Sequence, residues 1–306
     1  MRNPIVGKHE QEDLRKQVAK VLRGLGNPEP PLDLRHVREL LKLDVRFFSS
    51  SNDSYLQETI SRMTIAGKQI LKRPSLLIDV IKKAKLSALW IPDHKRILID
   101  QDTPKLKHRW YEGHEVGHSL AEWHALYLFG DDKNSLGQAC HEKLESEANF
   151  ASGQLLFLQD RFTAEANDNQ ATIATVMALS KIFGNTIAST LWRFVEETHS
   201  EKLMVGVVSQ HPHHPKDGFD AEAPIRYLIE SAGFRTRFGD INILDLYSDI
   251  KKYCSHGVRG PLGSRMLTLT DVNGEAHIFR FESFYTGHDC LTLGVYVRKA
   301  GIHFLD

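Results

Sequence analysis

The sequence predicts an α+β protein built from successive domains, and three observations lead there. The chain has 306 residues, enough for more than one core. Hydrophobic residues make up 41% and charged residues 25%, a globular balance. Helical and strand periodicities alternate along the chain, with strand character concentrated after Leu203.

The elements follow in order. Residues 10–24 carry a helical period with Leu14, Val18, Val21 and Leu22 on one face, ended by Gly24 and Gly26. Beyond the linker from Asn27 to Pro31, Asp33 reads as the N-cap of a helix through Leu41. Val45 to Phe48 alternates as a short strand, and residues 56–85 read as helical with a break at Pro74. Ser87 to Ile91 and Arg96 to Asp100 read as a hairpin around the turn Pro92 to Lys95. A helix from about Leu106 to Leu128 comes next, then a loop from Gly130 to Ser135, then a second long helix from Cys140 or His141 to Leu158. Residues 171–197 read as two helices around Gly184 and Asn185, with Ile173, Val176, Met177 and Leu179 buried. In the remainder, Leu203 to Val208 is expected as a strand, and Ala223 to Ala232 and Asn242 to Tyr253 as helices. Arg265 to Thr270, Ala276 to Phe281 and Cys290 to Val297 complete the strands, the first two joined at Asn273-Gly274.

Lys+Arg and Asp+Glu both number 39, so net charge exerts no general pull toward nucleic acid or membrane. No apolar run reaches the roughly 20 residues of a membrane helix, and Met1 to Glu12 lacks an apolar signal core. Cys140, Cys254 and Cys290 are few, odd in number and widely spaced, which speaks against a disulfide framework and for a cytoplasmic location. The 16 histidines raise the prospect of metal binding.

His114-Glu115-Val116-Gly117-His118 matches H-E-x-x-H. Residues four apart share one helix face, so both imidazoles reach one ion. Glu115 is rotated about 100° from His114 and is free to act as general base instead of ligand. Zn²⁺ held there acidifies water toward about neutral pH and polarises a peptide carbonyl, the chemistry of a metallopeptidase. The downstream helix carries Glu145, Glu147 and Asn149. Glu145 is one turn from Asn149, so it can ligate while Asn149 holds the other ring nitrogen of His114 or His118. The hairpin upstream offers an edge for an extended substrate.

HEVGH followed by LESEANFASGQLL resembles the ImmA/IrrE metallopeptidases, which carry H-E-x-G-H and then E-x-E-A-N-x-F-A-x-x-L-L. Glu145, Glu147, Ala148, Asn149, Ala151, Leu155 and Leu156 match; Phe150 directly precedes Ala151, and Phe157-Leu158 stands where Met-Pro often follows. Leu98 to Asp100 and Arg109-Trp110 also fit, and the resemblance covers about residues 30–165. It implies a zincin-like metallopeptidase domain over residues 1–165, with Glu145 rather than Glu147 as third zinc ligand. Glu147 is expected to face solvent or to be paired. A helix-turn-helix-like linker over 166–200 and a GAF-like α/β sensor domain over 201–306 follow from the same resemblance. Residues 171–192 contain one basic side chain, Lys181, so the linker is expected to pack and not to read DNA.

The segment from Ser119 through Asp132 to Cys140 is similar to the CapP-type proteases of bacterial anti-phage islands. That likeness implies Cys140 as an inhibitory fourth zinc ligand, a thiolate latch. It further implies cleavage of a helix-turn-helix transcriptional repressor, which de-represses stress or anti-phage genes, with single-stranded DNA as the activating signal. Two rival functions stand beside this: a DNA-binding transcriptional regulator with a structural zinc site, and a toxin-like protease of a toxin–antitoxin pair. His124 is expected to support the site from outside the ligand set, and His141 to lie on the surface. The tract His211-Pro212-His213-His214 reads as a surface loop, and the basic stretch Lys68 to Lys85 as a solvated face.

Overall fold

The computed structural model describes residues 6–48, 88–91, 95–103, 105–124, 138–199 and 202–300. The chain forms two compact units, Ile5–Gln159 and the part from Asp160 onward. The expected helical stretch 56–85 with its basic face, the turn at Pro92 to His94, and the loop at Gly130 to Ser135 lie outside the described residues.

In the first unit α1 is Lys8–Gly24, α2 Leu34–Leu41, β1 Asp44–Phe48, β2 Ala88–Ile91, β3 Arg96–Asp100, α3 Lys105–Leu120 and α4 Gln138–Leu156. The apolar stripe of α1 is buried as its spacing dictates: Leu14, Val18, Val21 and Leu22 face inward. Asp33 caps α2, its carboxylate accepting from Arg35 N at 2.9 Å. The sheet runs β1-β3-β2, with β1 parallel and β2 antiparallel to the central strand. Ile97, Leu98 and Ile99 of β3 are fully buried, so both faces of this strand are covered. α3 packs on β2 and β3, and α4 packs against α3 and α1. The helix expected to reach Leu128 is interrupted at Ala121, and helix resumes over 122–124, the last described residues before 138. That break redirects Trp123 and His124.

In the second unit α5 is Asp160–Asn167, α6 Ile173–Phe183, α7 Ile187–Glu197, β4 Met204–Ser209 and β5 Ile225–Glu230. α8 is Ala232–Phe238, α9 Ile243–Tyr253, β6 Gly260–Thr270, β7 Ala276–Tyr285 and β8 Cys290–Lys299. The five strands form an antiparallel sheet in the order β5-β4-β8-β7-β6. Alternation along β7 explains the layering. His277, Phe279, Phe281 and Tyr285 are buried, and the two phenylalanines join the core with Phe234 and Phe238 of α8 and Leu246 and Ile250 of α9. Arg280 and Glu282 point the other way, where Arg280 Nη2 donates to Ala171 O at 2.9 Å and Glu282 Oε2 accepts from Ile173 N at 3.1 Å. The helix pair α6–α7 is therefore a layer on this sheet.

The expected helix at Ala223 to Ala232 is instead strand β5, followed by α8. Ile225, Tyr227 and Ile229 suit a pleated edge, and pairing with β4 prevails. Ser231, at the junction, caps α8 by accepting from Phe234 N at 3.3 Å.

Candidate metal centre

α3 presents His114 and His118 one turn apart, and the crossing of α4 brings Glu145 onto them. Glu145 Oε2 lies 3.1 Å from His114 Nε2, and Oε1 lies 3.5 Å from His118 Nε2. The two Nε2 atoms are 3.2 Å apart. Ligands 2.0–2.1 Å from a tetrahedral zinc are separated by about 3.3–3.4 Å, so the three donors stand at the spacing such an ion requires.

The protonation pattern of the rings fits as well. Asn149 Oδ1 accepts only, so at 3.0 Å His114 Nδ1 is the donor and Nε2 keeps its lone pair. Behind His118 a longer chain makes the same choice. Glu147 Oε2 accepts from Trp123 Nε1 at 2.6 Å and from His124 Nε2 at 2.9 Å. His124 Nδ1 is then the acceptor for His118 Nδ1 at 2.9 Å, leaving His118 Nε2 as a lone pair aimed at Glu145. His124 and Glu147 are fully buried.

Electrostatics agree. Burial works against ionising Glu145, but the imidazoles of His114 and His118 set against its carboxylate hold it far below the usual carboxylate range. Burial, helped by the neighbouring His114, pulls His118 down to about 4, so it stays neutral. His114 is buried too, yet the Glu145 carboxylate against its ring and the charge of Glu115 raise it above the ordinary value, so this position favours positive charge. One carboxylate and two Nε2 atoms converging at this spacing are a group that could hold a metal ion. Glu115 is buried one residue along from His114, close enough for its charge to act on that ring.

The structure thus brings together His114, His118 and Glu145, with Asn149 on His114 rather than His118. Cys140 and His141 lie within α4, with side chains outside the described residues. Glu147 does not face solvent: it is buried beneath the site because the helix crossing turns its face toward Trp123 and His124. Nothing in the local spacing announces the His124–Glu147 pairing, since the two residues stand 23 apart.

Asp271, Glu275 and His277 form a second group with convergent ligand atoms. Here Asp271 Oδ1 accepts from Asn273 N and Glu275 N at 3.0 and 2.9 Å, and Oδ2 meets His277 Nε2 at 3.0 Å and Arg237 Nε at 3.3 Å. A guanidinium already fills the cationic place, so this group braces the β6–β7 turn and ties it to α8.

The histidine tract is not a bare surface loop. His211 is buried, and three imidazoles clamp the segment after α9. His211 Nε2 donates to Gly257 O at 2.9 Å, His213 Nε2 to Cys254 O at 2.9 Å and His214 Nε2 to His256 O at 3.2 Å. His211 Nδ1 accepts from His213 N and His214 N at 3.1 and 3.2 Å, so this ring must be neutral. Burial, with the adjacent imidazoles, holds it below its ordinary 6.5. Below that value protons bind the unfolded chain more readily, so stability of the second unit falls as pH drops through about 6.5 and below. Thermal melts between pH 7.5 and 5.5 are expected to fall more steeply for the natural protein than for His211→Asn. Equal slopes would dismiss this role.

No family model matches the chain, and no curated protein matches it. A solved structure of a Mycobacterium tuberculosis transcriptional regulator is similar, with a TM-score of 0.53 at 11% identity, over 94% of this chain and 76% of that one. At such identity the likeness is one of fold, a mixed α+β architecture. Among the described residues no helix is long and apolar enough to cross a membrane.

Proposed function

We propose that the first unit is a zincin-like, zinc-dependent endopeptidase and the second a GAF-like sensor domain. Its substrate on this reading is a helix-turn-helix transcriptional repressor, cleaved once a signal such as single-stranded DNA is sensed. The observation that carries the peptidase reading is the convergence of His114 Nε2, His118 Nε2 and a Glu145 carboxylate at zinc spacing beside Glu115. Bound zinc supplies a Lewis acid for a peptide carbonyl and makes water acidic. Glu115 takes the proton of the attacking water on its carboxylate and returns it to the leaving amine. Asn149 and the His124–Glu147 pair keep protons on the Nδ1 atoms, so both Nε2 atoms remain ligands. Among the described residues β2 is an edge of the three-stranded sheet and packs against α3, so a peptide added along it would run beside the histidine helix.

Glu115→Ala is the test. Zinc content and melting temperature are expected to stay near those of the natural protein. Cleavage of a helix-turn-helix repressor substrate should drop by about 10²–10⁴-fold. Retained cleavage with zinc bound would overturn the peptidase reading. The second reading, a DNA-binding transcriptional regulator with a structural zinc site, draws on the similarity in fold to the mycobacterial transcriptional regulator. It predicts that Glu115→Ala leaves regulation of the adjacent gene unchanged, measurable with a promoter reporter.

A further inference from the structure

α1 turns one face inward and the other toward an open cleft. Leu14, Val18, Val21 and Leu22 form its buried stripe. On the opposite side stand Lys16, Lys20 and Arg23, spaced four and then three residues apart, so they form one row spanning roughly 10 Å of the helix. All three are exposed. With Asp13, Gln17 and Trp123 they line a cleft of about 560 Å³. The chain as a whole is neutral, so this gathering of positive charge is local. Lys16 Nζ lies 3.2 Å from Asp13 Oδ1. Lys20 Nζ donates to Gln17 Oε1 at 3.3 Å, and among the described residues no carboxylate pairs with Lys20 or Arg23. Trp123 gives the cleft a fixed apolar wall. Its ring is half-buried, and its Nε1 donates at 2.6 Å to the fully buried Glu147 carboxylate, so the ring cannot swing away without breaking that bond. A row of cations beside one immobile aromatic ring is the chemistry of a recognition surface for an anionic partner.

We propose that this cleft is a docking site for an acidic helix of another protein. Carboxylates of that helix, one turn apart, would meet Lys16, Lys20 and Arg23, and an apolar side chain beside them would lie on Trp123. Carboxylates spaced four and three residues apart share one helix face, and their separation along the axis equals that of the three cations. A helix laid alongside α1 therefore offers each cation a partner without bending either backbone. The lining favours a polypeptide over a nucleic acid. Three cations against the one carboxylate of Asp13 leave the cleft at net +2, which suits a few separated charges. A phosphate backbone, charged at every nucleotide, would set repulsion against Asp13 inside the same cleft. Docking here is independent of the peptidase reading, because binding is read without cleavage.

The test follows the fluorescence anisotropy of a fluorescein-labelled, alanine-based helical peptide with glutamates spaced four and three residues apart, titrated with the full-length protein. Binding is expected, and it should weaken as salt rises, since the contacts lie at the surface. Lys20→Glu/Arg23→Glu should weaken it at least about tenfold. Lys181→Glu/Lys251→Glu makes the same change in net charge on exposed residues of the second unit and should bind like the natural protein. Lys20→Gln/Arg23→Gln removes the charges without reversing them; it should show a smaller loss, and it answers the question if the reversed variant folds poorly. Absence of binding by the natural protein, unchanged binding by the Lys20/Arg23 variants, or an equal loss in the Lys181/Lys251 control would overturn the proposal. So would tighter binding of a labelled oligothymidylate that the Lys20/Arg23 reversal abolishes, since the cleft would then be a nucleic-acid groove.

Discussion

Gly117→Ala is expected to lose the metal centre by unfolding the helix pair that builds it. A Cβ at residue 117 would sit 2.4 Å from Ala148 O and 3.2 Å from Ser152 N, both backbone atoms of α4. A flexible side chain could move aside; a helix backbone cannot without separating the helices. α4 carries Glu145, Glu147 and Asn149, so any retreat withdraws the third ligand and the supports of both histidines together. Overpacking of a core usually costs about 1–3 kcal/mol, and contact with backbone belongs at or above the top of that range. The variant should melt well below the natural protein and bind substoichiometric zinc by elemental analysis. Normal melting with normal zinc would refute the close crossing. The Gly position in H-E-x-G-H thus has a mechanical reason: it lets two helix backbones approach closely enough for the candidate ligands from both to meet.

The second large effect is expected from the chain behind His118. Glu147→Ala leaves His124 buried with its Nε2–H unpaired and removes the acceptor of Trp123 Nε1. Leaving these two buried donors without an acceptor costs about 1–3 kcal/mol each. His118 then loses the partner that holds its proton on Nδ1, and removal of such supports weakens metal binding by about 10–100-fold. Glu147→Gln keeps an amide oxygen that can accept from both donors, so it should recover most of the stability and part of the affinity. Zinc competition against a chelating dye and thermal melts read the two quantities separately. If Glu147→Ala bound zinc like the natural protein, the chain would be a packing feature with no hold on the ligand. Glu147 is accordingly a positioning residue, acting through His124 and His118.

Several of these residues differ in how far the sequence reveals them. His114, Glu115 and His118 are readable because helix geometry is local: spacing of one and four residues determines which side chains share a face. The buried stripe of α1 and the cap at Asp33 follow from equally local rules. The hairpin strands β2 and β3 also lie where alternation places them. Glu145 and Glu147 are two apart on one helix, and periodicity alone does not choose between them. Resemblance favoured Glu145, and the helix crossing accounts for the difference by directing Glu145 to the ligands and Glu147 to His124. At residues 225–230, where a helix is expected, a neighbouring strand decided otherwise.

The sequence by itself determined the mixed α+β class, most element positions, and the two imidazoles with their adjacent carboxylate. The tertiary structure alone decided what the spacing left open: that Asn149 supports His114 rather than His118, and that Glu147 pairs with His124. The physical reason is the range of the interactions. Turn-by-turn hydrogen bonding and side-chain periodicity act over a few residues and leave a readable pattern. Helix crossings and strand registers depend on how whole surfaces fit, where a missing Cβ at Gly117 counts for as much as any ligand.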